Sequence, residues 1–273
     1  MTPHRVFIVG HEGTTGLRIH ERLSDRKDIE LLATADEDRK NVEAIKVVAK
    51  KADLVFLCLP DVASKEIMAA IGDFPCKVID TSTAFRTTAG WAYGFPELGE
   101  SYKTDIATKK HIANPGCHAS GMIACIAPLV KAGLVPADYP FTITSLTGYS
   151  GGGKKMIGQY ESSPKDYFLY APRQYGLGQE HKHLPEVQHV CGLSEAPIFM
   201  PIVDDYYSGM EVTVGIHSRL CHKPVCIDKV QQTLEYFYKD STIVTVAPFT
   251  GSRARASRRP AGADCCGSAD GER

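Results

Sequence analysis

The order of apolar runs along this chain predicts an α/β fold in two parts. A parallel-sheet half, residues 1–114, is followed by an α+β half, residues 115–251, with a mostly antiparallel sheet. Three observations carry that expectation. Short apolar strands alternate with amphipathic stretches up to residue 114, which suits helices laid on both faces of a parallel sheet. A glycine-rich turn, Gly10 to Gly16, follows the first of those strands. Beyond residue 134, β-rich runs crowd together around one good helix, as strands paired largely antiparallel would.

Arg5 to Val9 reads as a buried strand, and Leu17, Ile19 and Leu23 follow the turn at helical spacing. Glycines at 10, 13 and 16 let backbone approach a pyrophosphate, whose charge the helix N-terminus meets, so a Rossmann-type dinucleotide site is expected there. Thr14 and Thr15 add hydroxyl donors. Glu30 to Thr34 is the second strand. Asp36 then stands about 20 residues beyond the glycines, where an acid accepts from ribose hydroxyls. Arg39 and Lys40 could instead neutralise a 2′-phosphate, so the residues alone leave NAD and NADP both open. Val42 to Lys51 is a helix and Asp53 to Leu59 a strand; Asp61 or Ser64 is expected to cap the helix carrying Ile67, Met68 and Ile71. Lys77 to Asp80 is a strand whose following loop joins Thr81, Ser82 and Thr83 to Arg86, a cation among hydroxyls that suits a phosphate or carboxylate.

The middle of the chain is Asn114-Pro115-Gly116-Cys117-His118. It closes the run His111 to Ala113 and opens a stretch, Ala119 to Leu134, with apolar residues at Met122, Ile123, Ile126, Leu129 and Val130, a helix buried on one side. Cys117 therefore sits at or just before a helix N-terminus. Unpaired N–H groups and the helix dipole there favour a thiolate, and could hold the oxyanion formed when it attacks a carbonyl. Phe141 to Leu146, Ala196 to Val203, Met210 to His217 and Thr242 to Pro248 are β-rich, and Ile227 to Tyr238 is the one good helix among them. Thr147 to Lys154 reads as a flexible loop able to bind an anion.

Gly176 to Glu186 supplies a base. In an extended segment His181 and His183 point to one side, so one could exchange protons with Cys117 while the other, or Glu186, binds or orients substrate. His-x-His is also a metal-ligand pair, with Asp204 and Asp205 as further ligands. No second cysteine or histidine cluster stands at zinc-finger spacing, and no metal is expected. A nucleotide-binding half, a cysteine nucleophile and a downstream histidine together suit one chemistry. The thiolate attacks an activated acyl group to give a thioester, a nicotinamide cofactor delivers hydride, and the thiohemiacetal collapses to an aldehyde.

Bulk properties restrict the partners. The chain is 43% hydrophobic and 23% charged, as ordinary soluble proteins are. A net charge of −1 gives no global attraction to nucleic acid or an anionic membrane, so neither is an expected partner. The chain passes from Arg5 directly into a strand too short for a signal-peptide core, and no apolar run approaches a bilayer span. Nine scattered cysteines without a paired framework read as reduced thiols, so a cytoplasmic location is expected. Residues 252–273 hold no Leu, Ile, Val, Phe or Met and are expected to be an atypical, disordered tail.

Six motifs stand in order: Gly10-His11-Glu12-Gly13-Thr14-Thr15-Gly16, Asp80-Thr81-Ser82-Thr83-Ala84-Phe85-Arg86, Tyr93-Gly94-Phe95-Pro96-Glu97, Asn114-Pro115-Gly116-Cys117, Gly148-Tyr149-Ser150-Gly151-Gly152-Gly153 and His181-Lys182-His183-Leu184-Pro185-Glu186. Spread over residues 4 to about 251, this set resembles the N-acetyl-γ-glutamyl-phosphate reductases of arginine biosynthesis in their shorter, type 2 form. The resemblance implies NADPH-dependent reduction of N-acetyl-γ-glutamyl phosphate to the 5-semialdehyde with release of inorganic phosphate. It implies Cys117 as nucleophile, His181 as general acid/base and Arg86 on the acyl phosphate, with Ser150, Gly151, Tyr175 and His183 near the substrate. Gly10, Gly13, Thr14, Thr15 and Gly16 would hold the cofactor, Arg39 and Lys40 its 2′-phosphate, and copies would join as a homo-oligomer through the second sheet. Residues 252–273 depart from the strand and Gly/Ala-rich helix with which that family continues. Three other readings are an aspartyl-phosphate-using sibling, a metal-dependent hydrolase built on His181 and His183, and a nucleotide-binding remnant without turnover.

Overall fold

A computed structural model describes residues 2–249; the tail expected over 252–273 lies outside the described residues. Strands β1 (His4–Val9), β2 (Ile29–Leu32), β3 (Leu54–Leu57), β4 (Lys77–Asp80), β5 (Ala92–Tyr93) and β6 (His111–Ala113) form one sheet in the order β2-β1-β3-β4-β6-β5. Every neighbouring pair is parallel. Helices α1 (Thr14–Ser24), α2 (Val42–Ala49), α3 (Asp61–Ile71) and α4 (Glu100–Thr108) lie in the connections. Phe7, Val9, Val55 and Leu57 pack with Ile45 of α2 and Ile67 and Ile71 of α3, the apolar layer that the alternating pattern anticipates.

Chain order reverses at β1, with β2 on one side and β3 on the other, so the crevice past their carboxyl ends is the switch point of the sheet. Only glycine closes the turn there. Gly10 has φ +86°, and a Cβ on it would stand 2.4 Å from the Cys58 carbonyl oxygen that follows β3. A Cβ on Gly16 would lie 2.3 Å from the Gly10 oxygen.

The second half is organised by α5 (Cys117–Lys131). Its Met122, Ile123 and Ile126 are wholly buried and pack with Phe141, Ile143 and Phe199. The sheet against it comprises β7 (Thr142–Gly148), β8 (Arg173–Gln174), β9 (Ile198–Asp204) and β10 (Met210–Gly215), in the order β10-β7-β9-β8. Two of its three pairings are antiparallel, as expected; the central one, β7 with β9, is parallel and makes the sheet mixed. That parallel pair is possible because a long crossover separates the two strands. It holds α6 (Gly153–Tyr160) and α7 (Leu184–Cys191). α8 (Ile227–Tyr238) matches its apolar spacing.

Four local expectations are corrected. Thr242 to Pro248 is not a strand. Neither Asp61 nor Ser64 caps α3: Asp61 accepts from Thr83 instead, and Ser64 is buried in the helix. The glycine-rich loop after β7 is a short 3-10 turn, Tyr149–Gly152, leading directly into α6. Residues 181–186 are not extended; they turn at His183 into α7, with Pro185 in its first turn, where a fixed φ and a missing N–H are tolerated.

Pro128 inside α5 removes the N–H that would donate to the Ala124 carbonyl. The Tyr238 hydroxyl at the end of α8 donates to that oxygen at 2.9 Å and joins the two helices. Tyr238→Phe should therefore cost about 1–3 kcal/mol in urea unfolding. In a Pro128→Ala background the restored N–H takes the partner's place, and the same change should cost clearly less. Equal costs in both backgrounds would show that the carbonyl needs no substitute donor.

Candidate active site

Cys117 is the first residue of α5, exposed, with no side chain capping the helix. The first-turn N–H groups are those a helix leaves unpaired. Gly116 before it is required by crowding. A Cβ there would lie 2.4 Å from His183 Nε2 and 2.5 Å from Arg86 Nη1. Above this turn opens a cavity of about 380 Å³, walled by Thr15, Thr81 and Arg86 from the first half and by Gly151, Tyr175 and His181 from the second. Cys117, His183 and Lys182 also line it.

One buried carboxylate ties these parts together. Glu186, on α7 and 1% exposed, accepts from the Gly116 N–H at 2.8 Å, the Tyr93 hydroxyl at 2.7 Å and Arg86 Nη1 at 3.0 Å. Burial and that carboxylate push the Tyr93 phenol far up, which keeps it a donor. Arg86 also donates from Nε to the Asn114 carbonyl at 3.0 Å and from Nη2 to the Thr81 carbonyl at 3.1 Å. Its loop is shaped by Asp80 at the end of β4, whose Oδ1 accepts from the Ser82 N–H and hydroxyl. A guanidinium has five N–H groups, so two remain for a ligand.

Three imidazoles meet beside Cys117. His181 and His183 have ring centroids 4.8 Å apart, and His118 lies 5.6 and 5.7 Å from them. Burial, helped by the charges of Arg86 and Lys182 and by the other imidazoles, pushes His183 down to about 2. Protonation of that ring is thus strongly disfavoured. His181 is half-buried; burial and then Lys182 lower it less drastically from its ordinary 6.5, leaving it unprotonated at neutral pH but able to take a proton. The His183 backbone N–H donates to His181 Nδ1 at 3.3 Å, a long contact that a tautomer change gives up cheaply. Of the two histidines that the sequence left interchangeable, His181 is the one suited to proton transfer.

The remaining sequence-singled residues divide between two places. Gly10, Arg39 and Lys40 line a separate cavity of about 120 Å³ beyond β1, together with Glu12 and Thr34. Arg39 Nη1 meets Glu12 Oε1 at 2.5 Å, an exposed pair of small net worth that an anion can displace. Gly13, Thr14 and Gly16 form the turn and helix start between the two cavities. Ser150 sits in the 3-10 turn but not on the cavity wall, and Asp36 lines neither cavity. Sequence reasoning gave no role to His118, Ser145 or Lys182; the first adjoins the nucleophile and the last lies between the two histidines, and adjacency was the only signal. Among the described residues no three His, Cys, Asp or Glu side chains converge as metal ligands, and no helix is long and apolar enough to cross a membrane.

Glu186→Ala leaves a buried guanidinium without its counter-charge and should cost about 3–5 kcal/mol. Circular dichroism should register that as a melting temperature lower by roughly 10 °C. Glu186→Gln, which keeps an acceptor, should fall between variant and parent; a Glu186→Ala protein melting with the parent would remove the carboxylate from its central place.

Two family models match along the chain: the NAD binding domain of semialdehyde dehydrogenase over residues 5–105 and its dimerisation domain over residues 117–265. The chain is 43% identical over 255 residues to N-acetyl-gamma-glutamyl-phosphate reductase 2 of Pseudomonas putida, covering 93% of this chain and 81% of that one. It is 46% identical over 220 residues to N-acetyl-gamma-glutamyl-phosphate reductase of Chelativorans sp., covering 81% and 70%. Aspartate semialdehyde dehydrogenase II from Vibrio cholerae shares the fold, with a TM-score of 0.65 at 18% identity over 86% of this chain and 79% of that one. Aspartate semialdehyde dehydrogenase with NADP from Candida albicans does so with a TM-score of 0.60 at 16% identity, over 85% and 76%. With a glycine-closed switch point in one sheet and a cysteine at the head of the helix that follows, the chain belongs to the semialdehyde dehydrogenase family, and within it to the N-acetyl-γ-glutamyl-phosphate reductases.

Proposed function

We propose that the chain reduces N-acetyl-γ-glutamyl phosphate to N-acetyl-L-glutamate 5-semialdehyde with NADPH, releasing inorganic phosphate. The observation that carries this reading is an exposed Cys117 at the head of α5, in one cavity with His181, two cations and Thr15 of the nucleotide turn. In this scheme Cys117 Sγ attacks the acyl carbon and its proton passes to His181. The C–O bond to phosphate breaks as His181 passes that proton to the leaving oxygen, and the hydrogen phosphate dianion is met by the free N–H groups of Arg86 and by Lys182. First-turn N–H groups of α5 hold the carbonyl oxygen as it gains charge. NADPH, when bound, supplies hydride to the thioester carbon. The thiohemiacetal oxyanion then re-forms its C=O bond as the C–S bond breaks, giving the aldehyde and regenerating the thiolate beside a neutral His181.

Residues at the switch point fit that cofactor. Gly10, Gly13 and Gly16 leave no Cβ where backbone approaches the pyrophosphate, Thr14 and Thr15 stand at the start of α1, and Arg39 and Lys40 offer two cations to a 2′-phosphate. The reading assigns residues 1–114 to cofactor binding and 115–251 to catalysis and assembly. A homo-oligomer would use the outer face of the second sheet, where half-exposed Met200 and Ile202 alternate with buried Phe199 and Val203 and Ile198 is 55% exposed. Sibling activity on aspartyl phosphate is the second reading, favoured by the fold likeness alone. A cytoplasmic location accords with a nucleophilic thiol, which a reducing compartment protects.

Phosphate-dependent reduction of NADP by N-acetylglutamate semialdehyde should fall by at least about a thousandfold in Cys117→Ser. Near-parental turnover there would end the nucleophile assignment. Lys182→Gln removes a positive neighbour of His181, so protonation of that ring becomes easier. The acid limb of kcat/KM should move to higher pH, and a limb that stays or moves down would take the proton-transfer role from His181. Arg39→Ala/Lys40→Ala should raise the KM for NADPH roughly tenfold or more while leaving that for NADH nearly unchanged.

A further inference from the structure

His118 follows the nucleophile directly, yet the reaction above gives it no task. It is 3% exposed, and both its ring nitrogens are engaged. Nδ1 lies 2.9 Å from Ser145 Oγ and Nε2 lies 2.9 Å from the Tyr175 hydroxyl. Ser145, fully buried on β7, donates its hydroxyl to the Glu211 carbonyl of β10 at 2.9 Å. A hydroxyl has one hydrogen and a carbonyl has none. Ser145 has therefore given its hydrogen to Glu211 and can only accept from His118, which places the imidazole hydrogen on Nδ1. Nε2 is then a bare lone pair, and the Tyr175 hydroxyl must donate to it. Burial, then the adjacent His181, lowers His118 to about 4 and keeps the ring neutral. Burial raises the Tyr175 phenol to about 12, so it keeps its hydrogen. The hydroxyl hydrogen points inward along the chain, and Tyr175 faces the cavity with acceptor lone pairs only.

We propose that Ser145 and His118 are positioning residues that fix Tyr175 as an acceptor, and that the group it receives is the amide N–H of the N-acylated substrate. This rests on the substrate reading above. In that substrate the carboxylate, the acetyl carbonyl and the acyl phosphate all present acceptor oxygens, and the amide N–H is the donor of the carbon skeleton. An acceptor-only phenol repels the first three and pairs with the last. The wall at Tyr175 thus sets which end of the substrate lies there, and the polarity originates in a carbonyl of β10 that never touches it.

The test compares N-acetylglutamate semialdehyde with its ester isostere, 2-acetoxy-5-oxopentanoate, in which oxygen replaces the N–H, using the full-length enzyme with NADP and phosphate. The parent should lose roughly 10- to 100-fold in kcat/KM on the ester. Tyr175→Phe should lower kcat/KM on the amide and bring the two substrates within about threefold of each other, since nothing remains to discriminate them. Ser145→Ala frees the His118 hydrogen to change sides and should give an intermediate ratio. Nitrogen-15 NMR of the ring, assigned through a His118→Asn variant, should show the neutral Nδ1–H form at neutral pH. A ring found as Nε2–H, or an amide-to-ester ratio unchanged in Tyr175→Phe, overturns the proposal. If the parent turns over neither substrate, the substrate reading fails and takes the amide assignment with it, while the NMR result still decides the direction of the Tyr175 hydroxyl.

Discussion

The site depends on a carboxylate in the interior. Glu186 receives donors from three separate parts of the chain: the loop after β4, the strand β5 and the residue before the nucleophile. Each donor would be costly to bury alone, and the carboxylate would be costlier still. Together they satisfy one another, and in doing so they bring Arg86 from the first half against Gly116 at the start of the second. The arrangement is specific because a buried charge tolerates few geometries. It fixes the guanidinium while leaving two of its N–H groups unspent.

Charge within the cleft is sorted by exposure. Lys182 lies at the surface, and Arg86 is paired with the buried Glu186 at 3.0 Å. Burial lowers all three imidazoles beneath; Lys182 adds to this at His181, and at His183 the neighbouring imidazoles and both cations do. In the proposed reaction an acyl phosphate would meet cations at its leaving group and polarisable rings around its carbon. His181 is the least buried of the three rings, which is why the proposed proton transfer is assigned to it.

Much of this was legible in the residues. The alternation up to Ala113 and the glycines at 10, 13 and 16 gave the parallel sheet and its switch point, because strand period and glycine's lack of a Cβ are local properties. Cys117 at a helix start followed from Pro115-Gly116 and the apolar spacing after it. The errors were non-local. Whether β7 pairs parallel or antiparallel with β9 is decided by what lies between them, and a segment such as His181 to Glu186 reads as extended until Pro185 is recognised as a helix start. Thr242 to Pro248 has the composition of a strand but no neighbour to pair with among the described residues. Ser145 had no signal and His118 only its adjacency to Cys117, since one looks like a strand serine and the other like a core histidine. Their meaning lies in the direction of hydrogens passed between β10, β7 and α5.

α5 is a rod of 15 residues whose first residue is the nucleophile. At about 1.5 Å per residue it is roughly 22 Å long. Its head is fixed by the Gly116 N–H on Glu186, and its middle by Tyr238 on the Ala124 carbonyl that Pro128 set free. A helix held at two points takes its position from both. The last helix of the described chain, which lines no part of the cavity, thus shares in seating the rod whose first residue carries the sulfur.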